Sequence, residues 1–333
     1  MKAVLMTTPG DVSVLERQVI NKPVPSSNKD ILIRLKAAGV NPVDTKLRSK
    51  GTYYPDRLPA VLGCDGAGIV EAVSSEVSRF QVGDEVYFCY GGIGGHPGNY
   101  AQYASVNENF VAHKPKSIDF IHAAAAPLVL ITAWESLFDR ASIQEGDKVL
   151  IHAGAGGVGH VAIQLARIQG ADVATTVSCG DKARFVGNLG AEKVVYYKDQ
   201  DLVTEMLDWT EGEGLDYALD TVGGDTLNQT FSAMKTYGDV VTLLNPPADC
   251  DWTTARNKNL SVSLELMLTP MFQEITSALQ HHANILQRCA DHIDAGRLAI
   301  HVADTFPLGQ VAEAHRQIAQ GGFIGKLVLE IPD

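Results

Sequence analysis

The sequence predicts an α/β chain in two parts, a β-rich first third followed by a doubly wound parallel sheet. Three observations carry this. Short β-leaning runs broken by Gly, Pro and Asp fill the chain up to Asp119, and strands alternate with helices beyond Asp147. Between them, Lys148-Val149-Leu150-Ile151-His152-Ala153-Gly154-Ala155-Gly156-Gly157-Val158-Gly159 carries an apolar strand into a G-x-G-x-x-G turn. The chain leaves that turn through Val161–Arg167, a helix by its pattern, and this strand-before, helix-after setting gives the glycine motif its meaning.

In the first part, Lys2–Met6, Ile31–Ala37 and Gly66–Val73 read as strands. Gly83-Asp84 turns into Glu85–Phe88, Gly91–Gly98 is a loop, and Tyr100–Val106 is a further strand. Ile121–Phe138 is Ala-rich and helical, broken in two by Pro127, which lacks the N–H a helix interior needs. Strand Asp172–Val177 completes a βαβ unit around the glycine turn. Strand Val194–Tyr197, helix Leu202–Trp209, strand Leu215–Asp220, helix Asp225–Met234, strand Asp239–Leu244 and strand Leu260–Met267 follow. Such alternation predicts a parallel sheet. Helices Ser277–Ala295 and Leu308–Ala319 and strand Gly325–Ile331 end the chain.

A turn built on glycine lets backbone approach a pyrophosphate, and the helix behind it presents free N–H groups at its positive end. An acid at the end of the second strand would hold a ribose 2′-hydroxyl. Ser178 stands there instead, which favours NADPH over NADH as the expected cofactor.

The 333 residues suffice for two domains with ample core. A net charge of −12, with Lys and Arg scattered, opposes nucleic acid as a partner and leaves a small molecule as the expected one. The apolar stretch Ala123–Ile131 is too short to span a membrane, and the N-terminal residues lack a signal-peptide core. Five widely spaced cysteines fit reduced thiols in a cytoplasmic protein better than a disulfide framework.

Several runs carry a resemblance: Ala37-Ala38-Gly39-Val40-Asn41-Pro42-Val43-Asp44, Leu58 to Gly68, Gly83-Asp84-Glu85-Val86, Ala126-Pro127 to Thr132-Ala133, the glycine turn, and Gly325-Lys326. In this order, over essentially the whole length, they resemble the medium-chain dehydrogenase/reductase superfamily, and within it the zinc-independent quinone oxidoreductase (zeta-crystallin-like) branch. The resemblance implies a GroES-like catalytic domain over residues 1–123, a Rossmann NADP-binding domain over 124–268, and a segment, 269–333, returning to the catalytic domain. It implies an active site in the cleft between the halves. It also implies a homodimer or homotetramer formed through an edge strand of the Rossmann sheet, for which Leu260–Met267 is the candidate.

Zinc relatives carry a Cys soon after the Gly-Val of the first motif, a Gly-His-Glu segment and a four-cysteine lobe. Here Asn41 or a neighbour takes the first place, Gly63-Cys64-Asp65 the second, and the Gly91–Gly98 loop the third. A catalytic zinc needs three converging protein ligands. Cys64 and Asp65 offer two, with only the loop residue His96 nearby, so no metal is expected. Alcohol oxidation then loses its electrophile. Reducing an already activated acceptor, a quinone or an α,β-unsaturated carbonyl, needs only a hydrogen-bond donor for the developing oxyanion.

The resemblance places candidate donors at Asn41, Asp44, Lys46, Arg48, Tyr53 and Tyr54. Asn41 is also a turn former before Pro42, and Lys46, standing where many relatives have Tyr, is equally a solvated face residue. Thr132 matches a threonine beside the nicotinamide, with packing inside its helix as the other reading. Lys182 falls where relatives bind a 2′-phosphate, although it also fits a helix face. Tyr197 matches a tyrosine near the adenosine. Val222 and Asn245 follow strands whose carboxyl ends bind ligands in such sheets. Two rival readings stand beside this one: a zinc-dependent alcohol dehydrogenase, and a non-catalytic NADPH-binding protein with a structural or regulatory role.

Overall fold

The structure, a computed structural model, describes residues 1–332. They form two compact units, Met1–Ile131 with the segment from Leu268 onward, and Thr132–Met267.

The first unit contains β1 (Lys2–Met6), β2 (Leu15–Val19), β3 (Asp30–Val40), helix α1 (Pro42–Lys50), β4 (Ala60–Val61), β5 (Asp65–Val73), β6 (Glu85–Cys89), β7 (Tyr103–Asn107), β8 (Ala112–His113) and α2 (Phe120–Ala125). Helix α3 (Pro127–Trp134) and a π-helical turn at Glu135–Arg140 follow. The second unit then alternates β9 (Lys148–Ile151), α4 (Gly157–Gln169), β10 (Asp172–Val177), α5 (Gly180–Asn188), β11 (Lys193–Tyr196), α6 (Leu202–Trp209), β12 (Leu215–Asp220), α7 (Asp225–Ala233), β13 (Met234–Thr242), α8 (Trp252–Asn257) and β14 (Ser261–Leu264). The chain returns to the first unit with α9 (Thr269–Phe272), α10 (Thr276–Asp294), β15 (Val302–Pro307), α11 (Val311–Gln320) and β16 (Lys326–Glu330).

Strand β3 is the spine of the first unit. It pairs antiparallel with β16, β5 and β7 in a sheet ordered β15-β16-β3-β5-β6-β8. Its register sets Val40 opposite Leu327 and Ala38 opposite Gly66. Asn41, Lys326 and Asp65, each one residue beyond those pairs, therefore meet at one end of the sheet. In the second unit all six strands are parallel, in the order β11-β10-β9-β12-β13-β14. The chain starts at the centre, winds out to β11, then restarts beside β9 and winds out to β14, which is the doubly wound arrangement. Leu150, Ala174, Leu215, Ala218 and Val240 of these strands pack against Leu202, Met206, Leu227 and Phe231 of α6 and α7.

Some elements differ from the sequence reading. Pro127 opens α3 instead of merely breaking a helix, since a first-turn residue needs no N–H donor. Helix α1 went unread, although Asn41-Pro42-x-Asp44 is a helix-start pattern. Strand β13 begins at Met234, five residues before the expected Asp239, because it runs through Lys235, Tyr237 and Gly238, which do not look like strand. Strand β14 covers only Ser261–Leu264 of the expected Leu260–Met267. Helix α11 starts at Val311, the three residues from Leu308 being a tight 3-10 turn.

Candidate active site

The glycine turn sits at the carboxyl end of central strand β9. Ala153 takes a left-handed conformation, φ +51°, with its N–H donated to Thr176 Oγ1 at 2.9 Å. A Cβ on Gly154 would lie 2.1 Å from Thr175 Oγ1 and 2.8 Å from Ile163 Cδ1, and one on Gly159 would lie 2.4 Å from the Ala153 carbonyl oxygen. Close packing of the turn between β10 and α4 thus requires both glycines. Gly156 is the residue preceding α4, and no side chain caps the 13-residue helix. Gly157 and Val158, in its first turn, are half-buried. A long helix without a side-chain cap, behind a turn of Gly and Ala only, has the features that suit a phosphate anion.

The other nucleotide candidates line the same edge of the sheet. Ser178 follows β10, Tyr197 follows β11, Val222 follows β12 and Asn245 lies just beyond β13. Ser178 is half-buried, as is Lys182 in the first turn of α5, while Tyr197, Val222 and Asn245 are exposed. Asp181, which would favour a free 2′-hydroxyl if it turned inward, is 77% exposed and paired with Arg184. Asp220 was not singled out from the sequence. Buried at the end of β12, it accepts the N–H groups of Val222 and Gly223 at 2.9 and 2.8 Å and the Thr242 hydroxyl at 2.8 Å, which fixes the turn carrying Val222. His152 was missed as well. Its Nε2 lies 2.9 Å from Thr230 Oγ1, and burial pushes it down to about 4, so the ring is neutral at pH 7.

The remaining candidates, Thr132 at the start of the second unit and the others in the first, differ in burial. Asn41 is fully buried at the start of α1. Its Nδ2 donates to Asp65 Oδ2 at 2.8 Å, its Oδ1 accepts from the Lys326 ammonium, and its N–H donates to Asp44 Oδ2 at 2.8 Å. Asn41, read from the sequence as a pocket donor or a turn former, thus stands at the start of a helix and is held by Asp65, Lys326 and Asp44. Lys46 lies on the exposed side of α1 and Arg48 is half-buried. Thr132, on α3, is buried. Tyr53 is 41% exposed and stacks on Phe272, with ring centroids 4.8 Å apart and planes within 5°. Burial, and then the nearby Cys64 thiol, raise the Tyr53 hydroxyl above its ordinary range.

Asp65 is the hub of this end of the sheet. Besides Asn41 it accepts the Leu128 N–H at 2.8 Å, tying down the start of α3, and its Oδ2 lies 3.9 Å from Lys326 Nζ. Burial pushes Asp65 up and Lys326 down, each resisted by the other's charge. Removing one partner from a buried pair of this kind costs about 3–5 kcal/mol. Beside the pair, Asp44 also accepts from the Tyr100 hydroxyl at 2.9 Å, and that hydroxyl lies 3.3 Å from His315 Nε2. Burial raises Asp44 to about 7 and lowers His315 to about 3. Tyr100 and His315 carry no local signal of a shared site, being 215 residues apart.

These residues do not fit a zinc ion. Among the described residues no group of three or more His, Cys, Asp and Glu could hold a metal. Asp65 is committed to two N–H donors and an ammonium. Cys64, which its hydrogen bond with Cys89 pulls down, is still raised by burial and the neighbouring Asp44 and Asp65 carboxylates.

Two family descriptions match the sequence: an alcohol dehydrogenase GroES-like domain over residues 27–116 and a zinc-binding dehydrogenase over residues 189–329. The chain is similar to the quinone oxidoreductase of Homo sapiens, at 31% identity over 339 residues that take in 99% of this chain and 97% of that protein. Its structure is similar to that of an alcohol dehydrogenase superfamily protein from Novosphingobium aromaticivorans, with a TM-score of 0.92 and 33% identity over 100% of both chains. It is similar also to the Escherichia coli quinone oxidoreductase complexed with NADPH, with a TM-score of 0.85 and 27% identity over 99% of this chain and 100% of that one. Among the described residues no helix is long and apolar enough to cross a membrane.

Proposed function

Because the chain belongs to the medium-chain dehydrogenase/reductase superfamily, in its quinone oxidoreductase branch, we propose that it is an NADPH-dependent oxidoreductase that reduces quinones or α,β-unsaturated carbonyls without a metal. The commitment of Asp65 to Asn41, Leu128 and Lys326 carries this reading, since it removes a carboxylate that a metal site at this place would need.

The glycine turn and α4 fit a dinucleotide. Gly154, Gly156, Gly157, Val158 and Gly159 would hold its pyrophosphate, Ser178 and Lys182 its 2′-phosphate, Tyr197 its adenosine end, and Val222 and Asn245 the nicotinamide ribose. Bound there, the group supplies a hydride to an electron-poor carbon. The chain's own residues do the rest. The Lys182 ammonium neutralises phosphate charge, and Ser178, where an acid would repel it, adds a hydroxyl donor. Asp220 holds the Val222 turn. The partly exposed Tyr53 hydroxyl donates to the acceptor oxygen as negative charge develops there. Lys46, exposed on α1, is a second candidate donor, and Asn41 serves from within, as a positioning residue.

The free cysteines support a reducing compartment such as the cytoplasm. Edge strand β14, with Leu264 59% exposed, supports pairing with a second copy. A zinc alcohol dehydrogenase is disfavoured by the donor set, and a purely structural role is separated from catalysis by whether NADPH is consumed with any acceptor. Steady-state kinetics with NADPH and NADH test the cofactor assignment. One charge-assisted contact corresponds to about a tenfold preference for NADPH. Lys182→Ala is expected to erase that preference, and an unchanged preference would remove Lys182 from the account.

A further inference from the structure

Three segments of the first unit interlock around two aromatic rings. Tyr53 donates its N–H to the Ile93 carbonyl at 3.1 Å, and the Tyr54 hydroxyl donates to the Phe272 carbonyl at 3.2 Å. Gly95 lies under the Tyr54 ring, where a Cβ would come within 2.9 Å of Cε2. Gly94, at φ +97°, passes so close to Thr52 that a Cβ would lie 2.3 Å from Oγ1. The Arg57 guanidinium sits 5.0 Å from the Tyr54 ring centre. Together these contacts hold Tyr53 and Phe272 face to face, with Tyr53 still 41% exposed. An exposed aromatic held rigid on its covered face is a flat surface whose ordering cost has already been met in folding.

The geometry points to Phe272 as a specificity-determining residue: backing Tyr53, it builds a wall that selects flat, ring-conjugated acceptors, quinones above acyclic enals. This inference rests on the reductase reading and narrows its substrate class. The Tyr53 hydroxyl serves either acceptor equally, whereas only a planar ring gains from stacking on a fixed aromatic face. Phe272 lies 218 residues from Tyr54 and on a four-residue helix, so nothing in the sequence associates it with the Tyr53 loop.

The test compares kcat/KM for 1,4-naphthoquinone and for trans-2-hexenal in wild type and Phe272→Leu, with NADPH saturating. Offset stacking is worth about two- to tenfold, so the quinone-to-enal ratio is expected to fall by at least about twofold in the variant. A ratio that stays the same in a folded variant overturns the inference and leaves the reductase reading standing. Wild-type protein that oxidises NADPH with neither acceptor brings down the reductase reading itself. Should Phe272→Leu fail to fold, Gly95→Ala, which displaces Tyr54 and so loosens Phe272, reads the same ratio with the same two outcomes.

Discussion

Asp44 shows how one buried carboxyl carries information that no local pattern displays. Its Oδ2 takes hydrogen bonds from Asn41 N–H and Tyr100, the Asp65 carboxylate and Lys326 ammonium lie near, and its Oδ1 has no hydrogen-bond partner among the described residues. Burial lifts it from 3.8 to about 7, so between those values the folded chain binds a proton that the unfolded chain has released. Stability from this group is thus fullest at low pH and is lost as pH rises toward 7, by at most about 1.4 kcal/mol per pH unit. His315, lowered to about 3, works in the opposite sense below its ordinary 6.5. Taking the difference from Asp44→Asn isolates the carboxyl. Denaturant melts from pH 5 to pH 8 are expected to show wild type losing stability relative to the variant as pH rises. A difference that does not change with pH would mean Asp44 titrates normally. Gly154 and Gly159 lie at the other extreme of legibility: each is forced by atoms within about 25 positions, and the motif is readable because the constraint is nearly local. The Asn41–Lys326 bond spans 285 residues and becomes visible only once β3 and β16 are in register.

Among elements, those with a single clear period were the readable ones. Strands β9, β10 and β12 are buried along almost their whole length, and their order follows from alternation with helices. Helix α1 is hard to read because Asn41 and Asp44, candidate donors, and Pro42, which suggests a turn, together also start a helix. Strand β2 was hidden because Leu15-Glu16-Arg17-Gln18-Val19 is polar and lies at a sheet edge. Strand β14 is the edge proposed for assembly. Ser261 and Leu264 at its two ends are exposed, Val262 and Ser263 between them are half-buried, and Leu264 and, just beyond the strand, Leu266 leave apolar surface open at the sheet edge. An open apolar edge of this kind invites a second copy of itself. Sedimentation of the wild type is expected to give a dimer or tetramer, and Leu264→Lys, which puts like charges across that edge, a smaller species. An unchanged assembly state in Leu264→Lys would place the interface elsewhere.

On the scale of the whole molecule, the sequence carried the family and the two kinds of architecture, because motif order over 333 residues is hard to produce by accident. It carried less of the chemistry. Cys64 and Asp65 looked like remnants of a metal site, yet Asp65 belongs to a buried charge pair with Lys326, which the closing Gly325-Lys326 motif contained without revealing its partner. The proposed metal-free reduction rests on that buried ammonium–carboxylate pair. The most direct measurement is NADPH oxidation with 1,4-naphthoquinone by protein dialysed against a strong chelator, with metal content determined on the same sample. Full turnover at well under one metal per chain is the predicted result. Stoichiometric zinc, with activity lost on chelation and restored by zinc, would contradict the account.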